Sequence, residues 1–149
     1  FIARRLIISA AEDIGLANPT ALVMANNCFD ALQKIGWPEG RIVLSQCAIY
    51  LALSPKSNSA YLAINKAQSI VREKGDSSIP LSLRNAPTKL MEELDYGKDY
   101  LYSHDNLDKL HLQEFLPDEI KRTSIYKPKQ NKKESEYGKL IEKIWKGKY

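Results

Sequence analysis

The chain has 149 residues, 44% of them hydrophobic and 27% charged, with seven glycines and seven prolines; this is the composition of one ordinary globular domain with a core of its own. It excludes a low-complexity chain, and no apolar run approaches the ~20 residues needed to cross a bilayer. The net charge of +4 is uneven, since residues 1–120 carry 12 Lys and Arg against 15 Asp and Glu while residues 121–149 carry 10 against 3, so the basicity belongs to the tail and argues against a nucleic-acid-binding face on the body.

The spacing of Ala3, Leu6, Ile7, Ala10 and Ile14 predicts a helix over 2–14, ended by Gly15. The pattern is in helical phase from Phe1, with no capping residue, and the chain is expected to be a piece of a longer protein. Glu12 and Asp13 fall in the last turn, where acids oppose the helix dipole; an ion pair with Arg5 or Arg41 is expected to compensate them. Asn18-Pro19 reads as a helix start, a capping side chain followed by proline at the first helical position. That helix runs to about Ile35, with Leu22, Ala25, Cys28, Phe29, Leu32 and Ile35 inward, and Gly36 ends it.

Residues 41–53 are apolar nearly all round: Ile42, Val43, Leu44, Cys47, Ala48, Ile49, Leu51, Ala52 and Leu53. A helix with so little polar face is buried on more than one side. Pro55 stops it, and Ser57 or Asn58 can cap a further helix. That helix has Ala60, Tyr61, Ala63, Ile64, Ala67, Ile70 and Val71 at helical spacing. The two are expected to form an antiparallel hairpin at the centre of the core. Cys28 and Cys47 lie in apolar stripes and read as small buried hydrophobes of a reduced compartment. They lack zinc spacing with His104 or His111.

After the turn at 75–78 the texture changes. Pro80 and Pro87 deny a long helix, Thr88 caps a short one over 89–94, and Tyr96-Gly97 ends it. Tyr100-Leu101-Tyr102 alternates as a short extended segment would. Residues 106–128 read as irregular, anchored by Phe115-Leu116-Pro117 and Ile125-Tyr126 and wrapped on the body. Lys129 to Ser135 has no apolar residue and reads as a linker. Helical spacing returns over 136–146 with Tyr137, Leu140, Ile141, Ile144 and Trp145.

Residues 80–105, PLSLRNAPTKLMEELDYGKDYLYSHD, resemble the C-terminal region of the replication-associated recombination protein A family. These are clamp-loader-like AAA+ ATPases, called RarA or MgsA in bacteria and related to the eukaryotic Werner helicase-interacting protein. ISAAEDIGLANP (8–19), GWPEGRIVLSQCAIYLALSPKSNSAYLAIN (36–65) and EFLPDEIK (114–121) match in the same order. The resemblance covers roughly 1–128. It implies an all-α helical bundle that serves as an oligomerisation domain, resembling the collar of clamp loaders, with an irregular C-terminal extension. On this reading residues 1–128 form the helical domain and 129–149 a basic linker and terminal helix. The resemblance further implies a homotetramer, and a parent protein that hydrolyses ATP with Mg2+ in a DNA-dependent way at stalled forks. Single-stranded DNA-binding protein and DNA are its implied partners, the cytoplasm its implied location, and no membrane is involved. Two departures stand out. No G-x-x-x-x-G-K-[ST] loop occurs in the chain, so ATP cannot bind here by that route, and neither enzyme activity nor a cofactor is expected of this piece. Asp95 stands where glycine is expected before Tyr96-Gly97.

Candidate interface residues are Tyr61, Ile64, Arg84, Asn85, Tyr100 and Tyr102. For Arg84-Asn85 an intersubunit or DNA-backbone contact competes with a local role, tying a loop to its own backbone carbonyls. For Tyr96, Tyr100 and Tyr102 the readings are packing within the subunit, an intersubunit interface, or stacking on bases. His104-Asp105 looks like half of a catalytic dyad, but no nucleophile accompanies it and a turn explains it. Lys129, Lys132 and Lys133, with the other tail lysines, are either weak salt-sensitive phosphate contacts or a solvated tail. The rival to the oligomerisation reading is therefore a monomeric DNA-binding or adaptor module using the basic tail and the tyrosine cluster.

Overall fold

The computed structural model describes residues 1–149, the side chain of Leu107 excepted. It is all-α, with no strand among the described residues. The α-helices are α1 (Ile2–Ser9), α2 (Thr20–Ile35), α3 (Gly40–Leu53), α4 (Ser59–Lys74), α5 (Lys89–Glu93) and α6 (Lys132–Trp145). Short 3-10 turns cover Leu81–Leu83, Leu107–Leu112 and Asp118–Ile120. The chain divides into two units, residues 1–65 with 126–137, and residues 66–125 with 138–149.

In the first unit, Ala10, Ile14, Ala21, Ala25, Cys28, Cys47 and Leu51 form the buried core, with Leu6, Ile7, Leu32, Val43, Leu44 and Tyr50 packed against it. Small side chains dominate, so α1, α2 and α3 approach closely. Cys28 and Cys47 are free thiols. Burial, with Cys28 alongside, pushes the Cys47 thiol up to about 11.

The first helix departs from the sequence expectation. It is α-helical only to Ser9, passes into a π turn over Ala10–Ile14, and ends in a 3-10 turn over Gly15–Ala17. Gly15 has φ +47, and a Cβ there would lie 2.7 Å from the carbonyl oxygen of Ser57. Asp13 accepts from the Ser9 hydroxyl at 2.7 Å. Neither Glu12 nor Asp13 forms an ion pair among the described residues, so the compensation comes from a hydroxyl and not from Arg5 or Arg41.

The expected α3–α4 hairpin core is corrected. α3 contributes Cys47 and Leu51 to the core, but α4 contributes no side chain to it and buries only Ser59. The reason lies in the break. Ser57 N–H donates to the Asp13 carbonyl at 2.8 Å. The Lys56 ammonium donates to the carbonyls of Leu51, Ala52 and Ser54 at 2.8, 3.2 and 2.6 Å, satisfying the end of α3. The Pro-Lys-Ser-Asn segment is thus docked onto the turn after α1, and does not fold α4 back along α3.

Asn18 is not the cap of α2. Its amide instead donates to Tyr50 Oη and Ser54 Oγ, both at 3.0 Å. On α2 the inward face is Ala21, Ala25 and Cys28, while Leu22 and Ile35 are exposed, contrary to their expected direction.

In the second unit, Thr88 caps α5 as predicted, accepting from Met91 N–H at 3.4 Å. Asp95, where glycine was expected, takes the left-handed conformation itself, with φ 61, and pairs with Lys98 at 2.9 Å. Residues 100–102 are irregular and not a strand.

The expected linker over 129–135 is also corrected, because α6 begins at Lys132. Asn131 caps it: Oδ1 accepts from Glu134 N–H at 2.9 Å, and Nδ2 donates to Glu134 Oε2 at 2.5 Å. The two bonds tie Asn131 to Glu134 across an N-x-x-E spacing, with the side-chain amide of Asn131 as the donor to the carboxylate.

Candidate interaction surface

α3 has two apolar faces. Val43, Cys47 and Leu51 lie toward the core. Ile42, Ile49 and Leu53, seven and four residues apart, share the opposite face. They are 61%, 57% and 82% exposed. Arg41, Ser45 and Gln46 flank them along a shallow groove. Trp37, just before α3, is also exposed. The near-continuous hydrophobicity of α3 therefore has a specific meaning: one side is covered within the unit and the other is left open. Burying a large aliphatic side chain is worth about 1.5–3 kcal/mol, so this stripe is a costly surface to leave in water.

The start of α4 continues the pattern. Tyr61, Leu62 and Ile64 are 44%, 51% and 54% exposed. Tyr61 and Ile64, the interface candidates on this helix, are thus available to a partner.

The other candidates separate. Arg84 is engaged within its own loop. Its Nε donates to the Ile79 carbonyl at 2.8 Å and its terminal nitrogen to Tyr96 Oη at 3.2 Å, with the guanidinium 5.1 Å from the Tyr96 ring centroid. Gly97 N–H donates to the Leu81 carbonyl at 2.9 Å, closing the same loop. Asn85 is exposed. Tyr100 and Tyr102 are exposed, and Tyr102 packs against His104 with ring centroids 5.3 Å apart. His104 and Asp105 sit in a turn. No group of three His, Cys, Asp or Glu able to hold a metal lies among the described residues.

Of the tail lysines, Lys129 donates to Asn58 Oδ1. Lys133 pairs with Glu136 at 3.1 Å and lies 5.5 Å from the Tyr137 ring centroid. Lys132 is exposed. Sequence reasoning missed Glu134, which is fully buried. Burial alone would raise its pKa, but the donors around the carboxylate, among them the Asn131 amide and the Tyr126 hydroxyl, outweigh burial and bring it to about 2. The N-x-x-E spacing from Asn131 was the available signal.

The family model for the MgsA AAA+ ATPase C terminal matches residues 1–145. The chain is 40% identical over 145 residues to Replication-associated recombination protein A of Escherichia coli, covering 97% of this chain and 32% of that protein. It is 43% identical over 148 residues to the protein of the same name from Bacillus subtilis, covering 99% and 35%. It is 38% identical over 130 residues to ATPase WRNIP1 of Dictyostelium discoideum, covering 87% and 15%. The chain therefore spans at most about a third of the length of these relatives.

Proposed function

This chain belongs to the C-terminal domain family of the MgsA AAA+ ATPases, and on that premise we propose that it is the oligomerisation module of a longer, DNA-dependent ATPase of replication and repair. It holds four copies together so that ATP- and Mg2+-binding modules, elsewhere in the longer protein, are presented jointly on DNA at stalled forks. The setting is the cytoplasm, with single-stranded DNA-binding protein as a partner of the whole assembly. Catalysis belongs to those other modules.

The observation that carries the reading is the open apolar stripe of Ile42, Ile49 and Leu53 on α3, together with the exposure of Tyr61, Leu62 and Ile64 on α4. An obligate interface resembles a core cut in half, and α3, covered on one face and bare on the other, has that character. The basic tail supports the rival reading, a monomeric module gripping DNA, because ten of its residues are Lys or Arg.

Light scattering on a sizing column separates the two. A mass about four times the 16.9 kDa chain is the expected result. A monomer at micromolar concentration, joined to salt-sensitive binding of single-stranded DNA, would overturn the oligomerisation role and favour the rival.

A further inference from the structure

The second unit contains a cleft of about 440 Å³ bounded by His111, Glu114, Arg122, Trp145, Lys146 and Lys148. Its charges are arranged unequally. Glu114 is fully engaged: it accepts from the N–H groups of Phe115 and Leu116 and from Tyr149 Oη, all at 3.0 Å. Lys148 lies 3.6 Å from its second oxygen. Lys148 in turn donates to the Gln113 carbonyl and sits over the rings of Phe115, Trp145 and Tyr149 at 6.0, 5.9 and 5.1 Å. The Glu114–Lys148 pair is therefore internally balanced, and it fixes the wall of the cleft. The surplus charge is that of Arg122 and Lys146.

Arg122 is unusual in three respects. It has φ 58. It follows Lys121, with φ −48 and ψ 141, and Thr123 N–H donates to the Ile120 carbonyl at 3.1 Å. This is a type II turn with arginine at the position that demands glycine or asparagine. Its guanidinium makes no hydrogen bond and no ion pair among the described residues. A conformation that penalises a β-carbon is thus held by a residue whose side chain has no internal use, and such strain gathers at functional sites. Lys146, which lines the same cleft, is tethered through Nζ to the Asp108 carbonyl at 3.2 Å. Its own backbone is left-handed, with φ 49. His111 adds an enclosed Nδ1 without a partner among the described residues.

We infer that this cleft is a phosphate site in which Arg122 and Lys146 grip one phosphate oxyanion, belonging either to a nucleic-acid strand or to a free phosphate compound. A planar guanidinium with its donors unspent suits two phosphate oxygens, and a neighbouring ammonium adds a point charge. The Glu114–Lys148 clasp holds the wall in place, so little ordering is needed on binding. The site is separate from the α3 stripe and does not rest on the oligomerisation reading. It also differs from the diffuse tail contact of Lys129, Lys132 and Lys133.

The test uses the 149-residue chain carrying Trp37→Phe, a change at an exposed position that leaves Trp145, on the cleft wall, as the only tryptophan. Its emission is followed while inorganic phosphate, or a short thymidine oligonucleotide, is added. A saturable change with the oligonucleotide alone identifies a strand. A similar change with phosphate identifies a free phosphate compound. In either case Arg122→Gly, which relaxes the turn and so keeps the fold, weakens the midpoint about tenfold or more, the loss expected for a charge-assisted pair of bonds. Lys139→Glu, on exposed α6 surface outside the cleft, leaves it unchanged. No emission change with either probe overturns the site. So does an unaltered midpoint in folded Arg122→Gly, or an equal loss in Lys139→Glu.

Discussion

The hydroxyl of Tyr126 donates to the buried carboxylate of Glu134 at 2.9 Å. Glu134 also receives the Asn131 amide at 2.5 Å. A carboxylate with no solvent contact is thereby kept ionised at the first turn of α6, where the helix dipole favours a negative charge. The same burial, followed by the bond to Glu134, pushes the Tyr126 phenol up to about 12. Residues 129–135, read from sequence as a linker, lie with Tyr126 in the first unit and are fastened to it through Glu134.

The Glu134 pKa of about 2, against an ordinary 4.5, gives this bond a pH signature. The folded value is depressed, so the stabilisation is fully present above pH 4.5 and is lost as pH falls from there toward 2. A shift of this size corresponds to about 3 kcal/mol. Urea denaturation between pH 7 and 2 is expected to show that loss. Glu134→Gln, which keeps an acceptor but cannot titrate, is expected to flatten the acid limb. An acid limb as steep as in the parent chain would show that Glu134 does not supply it.

Gly15 is expected to be irreplaceable. Alanine would meet the Ser57 carbonyl at 2.7 Å in a backbone with φ +47. The residue whose carbonyl it would meet, Ser57, also donates its N–H to the Asp13 carbonyl at 2.8 Å. Gly15→Ala is predicted to cost about 2 kcal/mol or more, read from the denaturation midpoint. A cost below about 0.5 kcal/mol, the range of an ordinary surface change, would mean that the close approach relaxes freely.

The sequence disclosed the local signals and missed the long-range ones. The end of α2 before Gly36 and the Thr88 cap of α5 depend on neighbouring residues only, and both were legible. The path of α4 was not, because it is set by Ser57 bonding to Asp13, 44 positions away. Asn18 has a capping side chain by type, yet spends it on Tyr50 and Ser54. α3, apolar nearly all round, was expected to be buried on more than one side, whereas Ile42, Ile49 and Leu53 are exposed. Which face stays open depends on where α1 and α2 pack, which periodicity does not encode. Arg122 gave no signal at all, since only the backbone reveals a glycine position held by arginine.

Arg84 is predicted to hold a loop. Its Nε and terminal nitrogen reach Ile79 and Tyr96 together, a fork that lysine cannot reproduce. Arg84→Lys is expected to cost about 1 kcal/mol, the net worth of such a bond. It should speed amide exchange locally over residues 79–97 and leave the solution mass as it was. A change in mass without faster exchange would move Arg84 to an intersubunit contact.

The exposed stripe gives the most direct test of assembly. Leu53 is 82% exposed, so Leu53→Glu is expected to change the stability of an isolated chain by no more than about 0.5 kcal/mol. If Leu53 is covered by another copy, the same change places a carboxylate in an apolar contact, where an unpaired charge is costly. The predicted result is a lower solution mass with unchanged helical circular dichroism. Ile64→Glu and Tyr61→Glu ask the same of α4. A fall in mass for Leu53→Glu alone would confine the interface to α3, and a fall for all three would join both helices in it. Three folded variants with the parent mass would remove this surface from assembly and turn attention to the apolar residues exposed elsewhere, such as Leu22 and Val23 on α2.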